Sequence, residues 1–198
     1  MMKWPRHAAQ ILVALVLLLG PRATTLANDL DDAYAAYKRG DYRTAFHLFE
    51  PLAEQGDVWA QYSLGFQYAT GQGIPQDYAE AAKWYRKAAD QGLARAQNNL
   101  GVLYENGQGV PQDYADAVKW YRKAAEQGDA LPQNNLGFMY AEGHGVPQDY
   151  VQAHMWFDLA AAQGLQEAIN NRDFIAAYMT PADVTKAQQL AREWLAKH

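Results

Sequence analysis

Residues 58–93 read VWAQYSLGFQYATGQGIPQDYAEAAKWYRKAADQGL. Ala60, Leu64, Gly65 and Tyr68 fall at spacings of four, one and three; Tyr78, Ala81, Tyr85, Ala88 and Ala89 follow at three, four, three and one. Both are helical periods, not the alternation of a strand, and the runs of Ala, Lys, Arg, Glu and Gln favour helix as well. The stretch predicts helix A over about 59–69 and helix B over about 77–91. Between them, Gly71 suits a left-handed helix stop, and Pro75 bars helix A from running into helix B.

Working outward, the pattern returns every 36 residues. Residues 94–129 match 58–93 at 23 of 36 positions, and 130–165 match 94–129 at 20. A period of this size predicts an all-α solenoid of stacked helix pairs, because one pair cannot bury both of its faces alone. Gly65, Ala81 and Ala88 recur in every copy and mark where paired helices approach closely. Trp84 and Tyr85 fill the wider gaps. In the third copy Pro132 replaces Ala60 and Ala96. Proline is tolerated only in the first turn, so that helix is expected to start at about Asp129 or later.

The pattern Ala-Gln-x-x-Leu-Gly-x-x-Tyr, then Gly-x-Gly-Val-Pro-x-Asp, then Ala-x-x-Trp-Tyr-x-x-Ala-Ala-x-x-Gly resembles the Sel-one-like repeat family, a longer-looped relative of the tetratricopeptide repeat. The organisation expected is a leader over 1–27, a shorter tetratricopeptide-like unit over 28–57 (Gly40, Asp41, Tyr42, Ala45, Phe49), repeats over 58–93, 94–129 and 130–165, and capping helices over 166–198. In the cap, Thr180-Pro181-Ala182-Asp183 is a helix start, and its partner is expected over about 166–178.

The first 27 residues carry Lys3, Arg6 and His7, an apolar run from Ile11 to Leu19, a Gly20-Pro21 stop, and Thr25-Leu26-Ala27 before Asn28. This is the layout of a secretory signal, and the run is too short to span a bilayer. Export to the periplasm or beyond, with the mature chain starting at Asn28, is the expectation.

The chain has 198 residues, 49% apolar and 13% aromatic, with 17 basic and 22 acidic side chains. Without the leader the balance is 14 to 22, which argues against nucleic acid and anionic membrane surfaces as partners. The absence of cysteine excludes disulfides, thiolate zinc sites and thiol catalysis. Ser63 is the sole serine and has no nucleophile elbow around it. Neither His144 nor His154 has a Glu or His at a helical i+3 or i+4 ligand spacing. The Gly-x-Gly loops follow helices rather than strands and carry no P-loop lysine. No cofactor, metal or catalytic residue is expected.

What remains is surface. The resemblance places the exposed sides of the A helices along a concave groove that binds a protein or peptide. Its candidate residues are Trp59, Tyr62 and Phe66 in the first full copy; Arg95, Asn98 and Val102 in the second; and Asn134 and Phe138 in the third. Asn98 and Asn134 are expected to offer amides to a partner's backbone. The function implied is a non-catalytic interaction scaffold or regulator in the bacterial envelope. The alternatives are an envelope enzyme of cell-wall or β-lactam chemistry, or a structural spacer.

Overall fold

The computed structural model describes residues 20–198, with side chains from Asp29 onward. The basic head and apolar run of the expected leader lie outside the described residues. Ten helices follow one another with no strand among the described residues: α1 (Gly20–Lys38), α2 (Tyr42–Glu54), α3 (Val58–Thr70), α4 (Tyr78–Asp90), α5 (Ala94–Asn106), α6 (Tyr114–Ala125), α7 (Ala130–Glu142), α8 (Tyr150–Ala162), α9 (Gln166–Ala176) and α10 (Pro181–Leu195). From α1 to α9 each helix packs on the next, so the chain is a solenoid of helix pairs.

Local chemistry sets the boundaries. Gly71, Gly107 and Gly143 end α3, α5 and α7 in the left-handed conformation. Asp77, Asp113 and Asp149 start α4, α6 and α8, each accepting backbone N–H bonds that would otherwise lack partners. Helix α7 begins at Ala130, so Pro132 lies in its first turn as expected.

The second loop glycine has a different task. Gly109 sits at φ +70°, and a Cβ there would run into the Tyr78 carbonyl at the start of α4. The long loop of each repeat therefore rests on the first turn of the preceding B helix. Gln76, Gln112 and Gln148 close these loops by donating to the carbonyls of Ala69, Glu105 and Ala141 and to the hydroxyls of Tyr78, Tyr114 and Tyr150. Gln112 is exposed yet structurally engaged.

Each A/B pair meets at the helix A glycine. At Gly65, Gly101 and Gly137 an added Cβ would lie 2.6–2.7 Å from the ring of Tyr85, Tyr121 or Phe157. Those rings are buried and pack directly against the bare backbone of the glycine. Trp120 and Trp156 are buried, whereas Trp84 is half-buried under the Lys87 ammonium, 3.7 Å from the ring centre.

A glutamine clamp ties three successive helices together in each repeat. Gln61, Gln97 and Gln133 are buried. Their amides donate to the carbonyls of Ala53, Ala89 and Ala125 at the end of the preceding helix. Their carbonyls accept from Gln91, Gln127 and Gln163 at 2.8–2.9 Å. Those outer glutamines also donate to the carbonyls of Gly56, Gly92 and Gly128.

The C-terminal pair departs from expectation. Thr180 caps α10 as the sequence implies, accepting from the Asp183 N–H, but α10 packs on α8 instead of α9. Trp194 meets Trp156 edge-on at 6.1 Å, and Ala191 joins the main core. In the 36-residue register, Arg172-Asp173 stands where the earlier A helices have Leu-Gly. A charged residue in the glycine slot denies α9 the close approach that pairs the other helices. The arginine bonds Asp158 and Asp173.

Candidate binding face

The A helices α1, α3, α5 and α7 together line two adjoining clefts. One, of ≈ 390 Å³, is bounded by Tyr62, Arg95, Asn98 and Asn99 and by Asp129 to Pro132. The other, of ≈ 200 Å³, is bounded by the rings of Tyr34, Tyr37, Trp59, Tyr62 and Phe66, with Ser63 and Arg95. Tyr62 and Arg95 belong to both. Burial pushes the Tyr34 and Tyr37 phenols above the ordinary tyrosine value, so both are neutral. Their hydroxyls lie 3.2 Å from Ser63 and 2.7 Å from Gln72. The Ser63 hydroxyl donates to the Trp59 carbonyl.

Most residues expected on this face do reach it. Trp59 and Phe138 are each 40% exposed, Leu131 57%, and Arg95 is exposed. Tyr62, Phe66, Asn98 and Val102 are half-buried. Phe174 on α9, 66% exposed, continues the register slot of Phe66, Val102 and Phe138. That residue was legible in the sequence, since it lies 36 beyond Phe138, but the charged Arg172-Asp173 beside it masks the repeat.

The asparagines correct the expectation of free amides. Asn134 is only 2% exposed; it accepts from Asn171 at 3.0 Å and donates to Glu167 at 3.3 Å. Asn98 accepts from Asn135 at 3.0 Å, and its own amide points to Asn99 at 3.4 Å. The Asn98–Asn135, Asn134–Asn171 and Asn134–Glu167 bonds run between successive A helices, so the ladder is a staple rather than a row of open donors. Asn134→Ala is accordingly expected to cost about 1–3 kcal/mol, from the loss of two part-buried hydrogen bonds at about 0.5–1.5 kcal/mol each. A thermal melt checks this; an unchanged melting temperature would return Asn134 to the open face.

Among the described residues no three His, Asp or Glu side chains come together in a way that could hold an ion. His144 stacks on Tyr114, ring centres 4.5 Å apart. His154 is buried in α8, its Nδ1 4.0 Å from the Asp158 carboxylate. Burial lowers its pKa and outweighs the upward pull of Asp158; Arg172, itself bound to Asp158, adds to the lowering. The unfolded chain thus binds the His154 proton more readily, so stability is present above about pH 6.5 and falls as the pH drops below that. Melts at pH 7.5 and 5 should show the loss, and His154→Val, the residue type at the equivalent Val118, should flatten it.

The comparisons with known proteins converge on the same architecture. The Sel1 repeat model matches residues 34–57, 60–93, 94–129, 133–165 and 175–197. The chain belongs to the Sel1 repeat family. Proteins of this family are typically protein–protein interaction scaffolds and generally non-catalytic. Among solved structures, c5321, a protective antigen present in uropathogenic Escherichia coli strains, is 39% identical, with a TM-score of 0.76 over 92% of this chain and 40% of that one. A Sel1 repeat protein from Oxalobacter formigenes is 36% identical, with a TM-score of 0.68 over 73% of this chain and 59% of that one. Cysteine-rich protein B of Helicobacter pylori is 25% identical, with a TM-score of 0.53 over 66% of this chain and 93% of that one. This Sel1 repeat chain therefore spans less than two thirds of the length of each of the first two relatives. A comparison with curated proteins returns no match. Among the described residues no helix is long and apolar enough to cross a membrane.

Proposed function

We propose that this Sel1 repeat protein is an exported, non-catalytic scaffold or regulator of the bacterial cell envelope, and that it holds a protein or peptide against its A-helix face. The observation that carries the reading is that four large apolar side chains on A-type helices, Trp59, Leu131, Phe138 and Phe174, stay exposed, with Trp59 and Leu131 lining the two clefts. Large apolar side chains left exposed beside clefts are where a partner gains most from burial. The same face varies between copies (Trp59, Arg95 and Leu131 share one slot), while the glycine and glutamine slots that build the stack repeat unchanged.

Export rests on the leader layout of residues 1–27. An intact mass starting at Asn28 supports it, and a full precursor held in the membrane counts against it. For the binding face, a photo-crosslinking residue at position 59 or 138 should capture a partner in living cells. The same group at position 83, on α4, should not. Equal capture from both places would move the site off the A helices, and none from either would favour a spacer. The enzyme alternative predicts turnover of a chromogenic β-lactam by the purified protein. The sole serine hydroxyl, bonded to the Trp59 carbonyl, supports the expectation of none.

A further inference from the structure

We propose that α9 is a pH-operated latch: a proton taken up by His154 draws Asp158 away from Arg172 and releases α9, while α1–α8 and α10 stay folded. The joint between a B helix and the next A helix is built differently here from the rest of the stack. In the first two full repeats, Arg86 and Arg122 donate to the hydroxyls of Tyr104 and Tyr140 on the following A helix. One period further on, the same register slots hold Asp158 and Ala176, so that tie is lost. Asp158 is held instead by Arg172 of α9, whose guanidinium donates to Oδ1 at 3.2 Å. The other carboxylate oxygen faces His154 Nδ1 at 4.0 Å. His154 fills the slot of Ala82 and Val118. It is 2% exposed, and its Nδ1 has no hydrogen-bond partner among the described residues.

Asp158 on the same helix, and Arg172 and Asp173 on α9, are the charged groups that act on His154. Helix α7 carries one charged side chain, Glu142, exposed at its end; on α10, Lys186, Arg192 and Glu193 are exposed, and Asp183 bonds Thr180 at the helix start. With α9 docked, a proton on His154 would put an imidazolium out of water beside the Arg172 guanidinium, two cations on one carboxylate. With α9 undocked, water reaches the ring and Asp158 pairs with it alone, one helical turn away. The proton therefore favours the open state.

Topology lets α9 leave by itself. It has 11 residues, buries Ala168 and Ile175, and has no side-chain cap at its start; a helix that short is not stable in isolation. Because α10 packs on α8 through Trp194 and Ala191, the chain end stays anchored when α9 opens. Release also breaks the bonds from Asn134 to Asn171 and Glu167 and takes Phe174 off the A-helix face. The latch requires no partner, so it stands or falls independently of the binding-face reading.

The test is amide hydrogen exchange of the purified protein, read by mass spectrometry at pH 7.5 and 5.5 and corrected for the pH dependence of amide chemistry itself. A group that holds its proton in the open state and not in the closed one shifts the opening equilibrium about tenfold per pH unit below its ordinary value of about 6.5. Protection over 166–176 should therefore fall about tenfold between the two conditions. At pH 5.5 it should lie at least about tenfold below protection in α5 and α10, and low denaturant should leave it unchanged, because a local opening exposes little surface. His154→Val, matching the Val118 slot, should abolish the fall in α9. Arg172→Gln should lower α9 protection already at pH 7.5 and leave α5 as it was. Equal protection in α9 and α5, no fall on acidification, a fall that persists in His154→Val, or an Arg172→Gln chain protected like the parent would each overturn the latch.

Discussion

Replacing the three inner glutamines together (Gln61→Leu, Gln97→Leu and Gln133→Leu) is expected to lower stability by about 3–6 kcal/mol, a large part of the roughly 5–15 kcal/mol that holds a typical domain folded. Each amide makes one bond back to the preceding helix and one forward to the outer glutamine of its own repeat. A net contribution of about 1 kcal/mol per hydrogen bond gives six such losses, partly offset by the buried leucine carbon. The sites lie one repeat apart and share no partner, so their effects should add. Solenoid stability is a sum of repeat and interface contributions, and this change acts on both. Denaturant unfolding measures it. A Gln97→Leu and Gln127→Ala double-mutant cycle should show coupling of about 0.5 kcal/mol or more. A triple variant as stable as the parent would mean that the clamp is incidental to the stack.

Gly101→Leu should be the most damaging single change among the helix A packing positions. Its Cβ alone would lie 2.7 Å from two carbons of the Tyr121 ring, closer than side-chain carbons approach. Tyr121 has little room to yield. It is fully buried, and its hydroxyl donates to Glu105 at 2.5 Å. Burial and that carboxylate push the phenol strongly upward, so it stays a neutral donor. Overpacking costs about 1–3 kcal/mol or more, equivalent to a fall of roughly 2–12 °C in melting temperature for a chain of this size. Glu126→Ala, an exposed change, serves as the reference and should stay within about 0.5 kcal/mol. Equal shifts for the two variants would show that the A/B contact does not pass through Gly101.

The helix pairs, their register, the glycine stops, the aspartate caps and the place of Pro132 were all legible in the sequence, because each depends on residues a few positions apart and recurs every 36. The Sel1 repeat architecture followed from them. Pairings between elements were not legible in the same way. That Gln97 joins Ala89 and Gln127, or that Asn134 faces Asn171 rather than solvent, depends on how far one helix is rotated against the next. A glutamine on a helix reads alike whether it points to water or to a neighbour's carbonyl. The final helix shows the same division: Thr180-Pro181 announced its start, but only packing decided its partner, because Asp173 in the glycine slot keeps α9 from closing and leaves the α8 surface for Trp194. The candidate binding face was half-visible for that reason. Register located its slots, while the tertiary structure decided that Trp59 and Phe138 stay open, that Asn134 is spent inside the stack, and that five aromatic rings and Arg95 from three different helices meet around one pocket.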